Sequence, residues 1–214
     1  MKIKEITSYL EEIAPISYQE NYDNCGLIVG DENAVVKMAL ITLDCTEAIV
    51  DEAIEKGCNL VISHHPIIFT GIKKLNGSNY IQRTIIKAIK NNIAIYAIHT
   101  NLDNIYNGVS GKIAEKLSLK NCKILSAKDE KHNSNIGTGI FGELEELVES
   151  NMFLKNLKTI FKIDCIKHTL LVKSHVKKVA VCGGSGSFLI NKAKALNADI
   201  YISADFKYHE FFDA

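Results

Sequence analysis

Apolar residues recur along this chain in two rhythms. In the opening stretch, MKIKEITSYLEEI, Ile3, Ile6, Leu10 and Ile13 fall three and four positions apart, which lays them on one face of an amphipathic helix. A short apolar run closed by glycine, 25–30, reads as a strand. From Met38 the pattern becomes regular, with an apolar strand at 39–43, an amphipathic helix running through Lys56 with Gly57 as its stop, and a second strand at 60–63. Strand, helix and strand joined this tightly imply a parallel pair connected by a right-handed crossover. Further helices are predicted at 80–91 and 110–117, with a buried strand between them at 93–98. The polar, glycine-bearing segment from Ala127 to Gly142 reads as the crossing between two lobes. Beyond it the pattern predicts a helix around 153–161, strands near 168–172 and 179–182, a helix across 189–196 and a strand at 199–203. The fold class is α/β, with a first lobe over residues 1–126 and a second over 127–214.

The second stretch repeats the first. A constant offset of 140 positions, without a gap, sets Ala39 on Val179, Ala53 on Ala193, Ile62 on Ile202 and Ser63 on Ser203. Identity is thin, but strand, turn, helix and strand follow in the same order and at the same lengths. We therefore expect two interlocked lobes formed by an internal duplication, each with a mixed sheet flanked by helices. The same offset sets His64 and His65 on Ala204 and Asp205, polar positions at equivalent strand ends that would face one cleft.

Composition narrows the function classes. Among 214 residues, 47% are hydrophobic, and 25 basic residues balance 25 acidic ones. That balance supplies no broad cationic field for a nucleic-acid backbone or a membrane surface. The longest apolar runs, such as 93–98, fall far short of the roughly 20 residues a membrane helix needs. Acids interrupt the N-terminal apolar positions, unlike the unbroken run of a signal peptide. Six cysteines lie scattered without a C-x-x-C pair, mostly in apolar segments, which points to a reducing cytoplasm.

Candidate chemistry gathers at strand ends. Ser63-His64-His65-Pro66 directly follows an apolar strand, and in open α/β sheets ligands collect beyond the carboxyl ends of strands. Neighbouring side chains on a regular strand point to opposite faces, so both imidazoles reach one site only where the strand gives way to a loop. Pro66 favours this by holding His65 extended. The alternative is a pair of surface histidines at a turn. His99-Thr100-Asn101-Leu102-Asp103 follows the next buried strand and adds a third imidazole and a carboxylate, donors that suit zinc, iron, manganese or nickel. Within that segment Asp103 reads as the better ligand, and His99 as a packed or supporting histidine. Gly183-Gly184-Ser185-Gly186-Ser187 joins a strand to a helix, so the backbone around Gly184, Ser185 and Gly186 suits an anion such as phosphate, or is simply a tight turn. It has neither the third glycine of a dinucleotide fingerprint nor the lysine of a P-loop. Asp205-Phe206-Lys207-Tyr208-His209-Glu210 again sets an acid and a base just past a strand; Asp205 and His209 suit proton transfer there, or form an ordinary solvated loop.

As a set, these blocks resemble the Nif-three-like (YbgI-like) dinuclear metal-binding family, whose members are often called GTP cyclohydrolase 1 type 2 homologues. The matching blocks, in order, are Tyr22-Asp23-Asn24-Cys25-Gly26-Leu27-Ile28-Val29-Gly30-Asp31, the SHHP element, HTNLD, Val181-Cys182-Gly183-Gly184-Ser185-Gly186 and 205–210. The resemblance implies a duplicated α/β fold, two divalent metals between the lobes, and a homo-oligomer in the form of a toroidal hexamer. It assigns His64, His65 and Asp103 as metal ligands. The family's remaining ligands, a histidine and a glutamate four residues apart, lie downstream of the block that here reads KYHEFFDA, so the sequence to Ala214 is expected to bind metal weakly or with about one ion per chain. Tyr22 stands where tryptophan is usual, and Ala204 where glycine normally precedes the aspartate. The implied function is a dinuclear metal-dependent hydrolase acting on a nucleotide-like or phosphorylated small molecule; the alternative is a non-catalytic metal-binding or scaffold protein working through a ring-shaped oligomer.

Overall fold

In the computed structural model, which describes residues 1–129 and 133–214, the first apolar rhythm becomes α1 (Ile3–Ile13). Its first turn is closed by Glu5, whose Oε2 accepts the Lys2 N–H at 2.5 Å. The short strand becomes β1 (Gly26–Val29), and the regular region gives β2 (Ala39–Thr42), α2 (Glu47–Glu55), β3 (Leu60–Ser63), α3 (Tyr80–Lys90) and β4 (Ala94–Ala97). Side chains cap α2 and α3: the Thr46 hydroxyl accepts the Ile49 N–H and the Asn79 carbonyl oxygen accepts the Gln82 N–H. The four strands lie in the order β1-β4-β3-β2, with β2, β3 and β4 parallel and β1 antiparallel to β4.

Both faces of this sheet are covered, which is why its strands read as unbroken apolar runs. On one face Leu60, Ile62, Ala94 and Tyr96 pack with Ile3 of α1. On the other, Val61 and Ile95 meet Val50 and Ala53 of α2 and Ile85 and Ala88 of α3. The alternation of Leu60, Val61 and Ile62 between faces is the period of two expected of a strand.

The chain divides into two compact units, Met1–Leu102 and Asp103–Ala214, whereas the sequence reading set its boundary between 126 and 127. The short helix α4 (Thr100–Asp103) spans the division, and the second unit continues with α5 (Val109–Lys116), β5 (Lys120–Asp129), β6 (Asn133–Glu149), α6 (Ser150–Phe161), β7 (His175–Val181), α7 (Ile190–Ala195), β8 (Ile200–Ile202) and α8 (Glu210–Asp213). Its strands lie in the order β5-β6-β7-β8, antiparallel except for the parallel pair β7 and β8. One face packs Ile140, Val179 and Val181 against Ala114, Leu117, Phe153 and Leu157. The other packs Leu125, Phe141 and Ala180 against Leu189 and Ala193. Two expectations need correction here. The segment from Ala127 to Gly142, read as a crossing, contains the end of β5 and the start of β6, paired through Ser126 with Thr138 and Ile124 with Ile140. Gly137 in it serves close strand approach, since a Cβ there would lie 2.2 Å from the Ser126 carbonyl oxygen. Residues 168–172, read as a strand, form none, and Leu170 and Val172 are exposed.

The duplication is visible in the backbone. The β2/β3 register of Ala39 with Leu60, Leu40 with Val61 and Ile41 with Ile62 recurs, displaced by 140, as Val179 with Ile200, Ala180 with Tyr201 and Val181 with Ile202. The helix exits match as well. The Cys58 N–H donates to the Ala53 carbonyl at 2.8 Å and the Ala198 N–H to the Ala193 carbonyl at 3.0 Å, while Gly57 and Asn197 take the left-handed φ of 70° and 54° that such exits need. The surroundings differ: β2 is a sheet edge in the first unit, and its counterpart β7 pairs onward with antiparallel β6.

Candidate metal centre

The two histidines that follow β3 sit where the strand is still tied to its neighbour. The His64 N–H donates to the Thr42 carbonyl at 3.1 Å and the His65 N–H to the Leu43 carbonyl at 3.0 Å. The Ser63 hydroxyl donates to the His65 carbonyl at 2.9 Å, closing a tight bend before Pro66. That bend brings both rings to one side, with centroids 5.0 Å apart. His99, just beyond β4, completes a near-equilateral triangle, at 5.1 Å from His64 and 5.3 Å from His65. One nitrogen from each of the three rings lies within 4.8 Å of the others. The sequence reading gave His99 a supporting place; the structure sets its ring in the cluster.

Each imidazole is held through Nδ1 by an oxygen. His64 Nδ1 lies 2.9 Å from the Ile98 carbonyl, His65 Nδ1 2.8 Å from Asp44 Oδ1, and His99 Nδ1 2.9 Å from Asp23 Oδ1. A carbonyl accepts and never donates, so the proton of neutral His64 belongs on Nδ1 and the lone pair on Nε2. An ionised carboxylate makes the same demand of His65 and His99. This is the pattern in which an outer oxygen orients a metal-ligating imidazole and raises its basicity. Burial, joined by the neighbouring imidazoles, pushes the His64 pKa down against the opposing bond to Ile98, which favours the neutral form that ligation needs.

The carboxylate behind His99 is hydrogen-bonded on both oxygens. The Asp23 side chain is fully buried, while 14% of the His99 side chain and 45% of the His65 side chain remain exposed. Burial alone would raise the Asp23 pKa; hydrogen bonds from His99, Thr100, Cys25 and the Asn24 N–H outweigh it and hold the carboxyl well below the usual carboxylate range. Burial pushes the Cys25 thiol up to about 11, so it stays protonated and donates to Asp23 Oδ2 at 3.1 Å. Asp23 and Asp44 were absent from the candidate ligands and supports read from the sequence. Their signals were present as an acid three positions before β1 and an acid two positions after β2, but only the fold shows which histidine each one meets.

The remaining sequence candidates lie in the second unit. Asp103 ends α4, and its charge adds to the burial that pushes the Cys182 thiol up to about 11. In the 183–187 turn the Gly184 carbonyl accepts from the Ala204 and Asp205 N–H groups and from the Ser203 hydroxyl, and the Gly186 carbonyl accepts the Tyr201 hydroxyl at 2.6 Å. A Cβ at Gly186 would lie 2.4 Å from Tyr201 Oη and 2.6 Å from both Cys182 Cβ and Ser203 Oγ, so packing alone accounts for that glycine. Ser185 is exposed, and α7 beyond the turn is only six residues long. Asp205 and His209 are both exposed; the His209 ring packs on Tyr208 and Phe212, and no hydrogen bond joins it to Asp205 among the described residues.

Comparison with known proteins agrees with this architecture. The family model described as Duf34/NIF3 (NGG1p interacting factor 3) matches residues 1–214. A GTP cyclohydrolase 1 type 2 homolog of Clostridium acetobutylicum is 38% identical over 213 residues, covering 98% of this chain and 78% of the relative. Among solved structures, a Bacillus cereus protein related to NIF3 is similar with a TM-score of 0.92 at 26% identity, covering 100% of this chain and 85% of that one. A hypothetical protein of Staphylococcus aureus is similar with a TM-score of 0.90 at 31% identity, covering 100% and 82%. Among the described residues no helix is long and apolar enough to cross a membrane.

Proposed function

The chain belongs to the Duf34/NIF3 family, and from that premise we propose that it is a divalent-metal-binding protein whose ion is held by His64 and His65, with His99 beside them. The observation that carries this reading is the convergence of three imidazoles whose Nδ1 atoms are each engaged by an oxygen. Three neutral nitrogen donors suit zinc, iron, manganese or nickel better than magnesium or calcium, which prefer oxygen. Asp103, four residues beyond His99, is proposed as a carboxylate donor on the strength of the sequence resemblance.

For activity we propose metal-dependent hydrolysis of a nucleotide-like or phosphorylated small molecule, a reading supported by the name that the curated relatives share. A bound ion would supply Lewis acidity toward a carbonyl or phosphoryl oxygen. The chain's own part in the first unit is to keep His64 neutral by burial, to fix the imidazole tautomers through Ile98, Asp44 and Asp23, and to leave His65 open to solvent and ligand. In the second unit, proton transfer by Asp205 and His209 and an anion seat at Gly184, Ser185 and Gly186 are proposed from the sequence motifs alone. A homohexameric ring and a cytoplasmic setting belong to the same proposal.

Elemental analysis of protein purified without chelator tests the metal reading: a transition metal is expected in the native chain and its loss in the His64→Ala, His65→Ala double variant. Unchanged metal content in that variant would remove the ligand assignment. Turnover of nucleotide and phosphoester substrates that depends on added metal supports the hydrolase reading, and metal binding without turnover favours a non-catalytic role.

A further inference from the structure

Among the groups around the imidazole cluster, Asp23 is the one whose surroundings leave it a single chemical part. Its Oδ1 accepts the Asn24 N–H at 2.8 Å and meets His99 Nδ1 at 2.9 Å. Its Oδ2 accepts the Thr100 N–H at 3.0 Å, the Cys25 Sγ–H at 3.1 Å and the Thr100 hydroxyl. The direction of that last bond is fixed, because Thr100 Oγ already accepts the Glu20 N–H at 2.9 Å and so has its proton to give. Among the described residues, every hydrogen-bond partner of this fully buried carboxylate side chain therefore donates to it. Backbone N–H groups from two separated segments clamp it in place, and among its partners here His99 connects it to the cluster.

We propose that Asp23 is the positioning residue of the metal centre: by taking the Nδ1–H of His99 it holds that ring in the triangle and fixes the tautomer that carries its lone pair on Nε2. The inference rests on the metal reading for its purpose, but the tautomer it predicts is a property of the metal-free chain. An amide at position 23 brings two N–H groups into a shell made of donors. The Thr100 N–H on one side and the Asn24 N–H on the other cannot reverse, so either orientation of the amide sets its NH2 against a backbone donor and the clamp on His99 is lost. Where that NH2 faces His99, the ring accepts at Nδ1 and its proton moves to Nε2, the atom a metal would need bare. Loss of an outer partner of this kind typically lowers metal affinity about 10- to 100-fold.

Long-range 1H–15N NMR of the imidazole rings in the metal-free full chain tests the proposal, together with Co2+ titration followed by its visible absorption. The native protein is expected to show His99 as the Nδ1–H tautomer. Asp23→Asn is expected to populate the Nε2–H tautomer and to weaken Co2+ binding by one to two orders of magnitude, with no further loss when Asp23→Asn is added to His99→Ala. A native His99 found as Nε2–H overturns the proposal without any variant. So does a folded Asp23→Asn protein that keeps the Nδ1–H tautomer and native Co2+ affinity. Failure of the native chain to bind Co2+ strikes the metal reading instead, since the tautomer measurement uses no metal.

Discussion

Asp199 opens the last strand of the internal repeat, and its replacement offers a test of the fold that is independent of any ligand. Its Oδ2 accepts the N–H groups of Lys177 and Lys178 at 2.8 and 2.7 Å, and its Oδ1 pairs with Lys173 Nζ, while its side chain is only one-tenth exposed. Hydrogen bonds to a charged group contribute about 1.5–3 kcal/mol each and are not additive, so Asp199→Ala, which strands two amide donors, should cost about 3 kcal/mol. Asp199→Asn should cost about 1 kcal/mol, because an amide oxygen can still receive the backbone N–H groups. The first repeat already uses that solution: Asn59, the counterpart of Asp199, accepts the Lys37 N–H at 2.8 Å and donates to the Val35 carbonyl at 2.8 Å. The pH dependence follows from the carboxyl itself. Burial opposes ionisation, but Lys173 and the two N–H groups outweigh it and lower the folded-state pKa. A depressed pKa contributes stability that is full above the unfolded value of about 3.9 and is lost as pH falls through the folded value. A protonated aspartate resembles asparagine, so the gap between native protein and Asp199→Asn in urea midpoints should be constant from pH 7 to about pH 5 and should close below about pH 4. A gap that stays the same down to pH 3 would refute the assignment of this carboxylate's role.

Gly186→Ala should lower the melting temperature by about 2–12 °C, the equivalent of about 1–3 kcal/mol of overpacking in a chain of this size, because its Cβ would meet Tyr201, Cys182 and Ser203 at 2.4–2.6 Å. Leu60→Ala, at a fully buried site between Ile3, Ala94 and Tyr96, should cost about 2–5 kcal/mol by chemical denaturation. Zn2+ at about 100 times its dissociation constant should stabilise the native chain by about 2.7 kcal/mol in thermal unfolding and leave the His64→Ala, His65→Ala variant unmoved; equal shifts in both would place the ion elsewhere.

The first unit was legible in the sequence because its strands are buried on both faces and its helices carry their own caps. Uninterrupted apolar runs such as 60–62 and 93–98, with Gly57 as a helix stop, leave little choice of element. The hairpin of β5 and β6 was hidden because its apolar anchors, Ile124, Leu125, Ile140 and Phe141, are separated by polar residues and glycines that resemble a linker. Residues 168–172 show the reverse error: HTLLV has strand composition, but strand composition forms a strand only where a neighbour supplies hydrogen bonds, and none does here among the described residues. Position in the sequence marked His64, His65 and His99 because all three follow apolar strands. The oxygen behind each ring was not legible, since Asp23 and His99 are brought together by β1 running antiparallel to β4, a pairing that no local pattern announces.

The two repeats part company at the point where chemistry begins. Through the paired strands they agree residue for residue, down to the amide that follows each helix exit. Past the strand ends the first repeat keeps its ladder, His64 and His65 still bonded to Thr42 and Leu43, and so carries two imidazoles outward on a stiff support. The second repeat abandons its ladder: Ala204 and Asp205 both turn their N–H groups to the single carbonyl of Gly184, and Asp205 ends exposed. A site that must hold donors within a few tenths of an ångström gains from being the direct extension of a sheet, where each side chain is aimed by backbone bonds already required for folding. The first copy has that support, with β2 supplying Thr42 and Leu43 to the ladder and Asp44 to the His65 ring. The corresponding segment of the second copy, 182–184, is spent on a turn whose carbonyls face inward, which leaves that strand end without the carboxylate that would hold an imidazole in place.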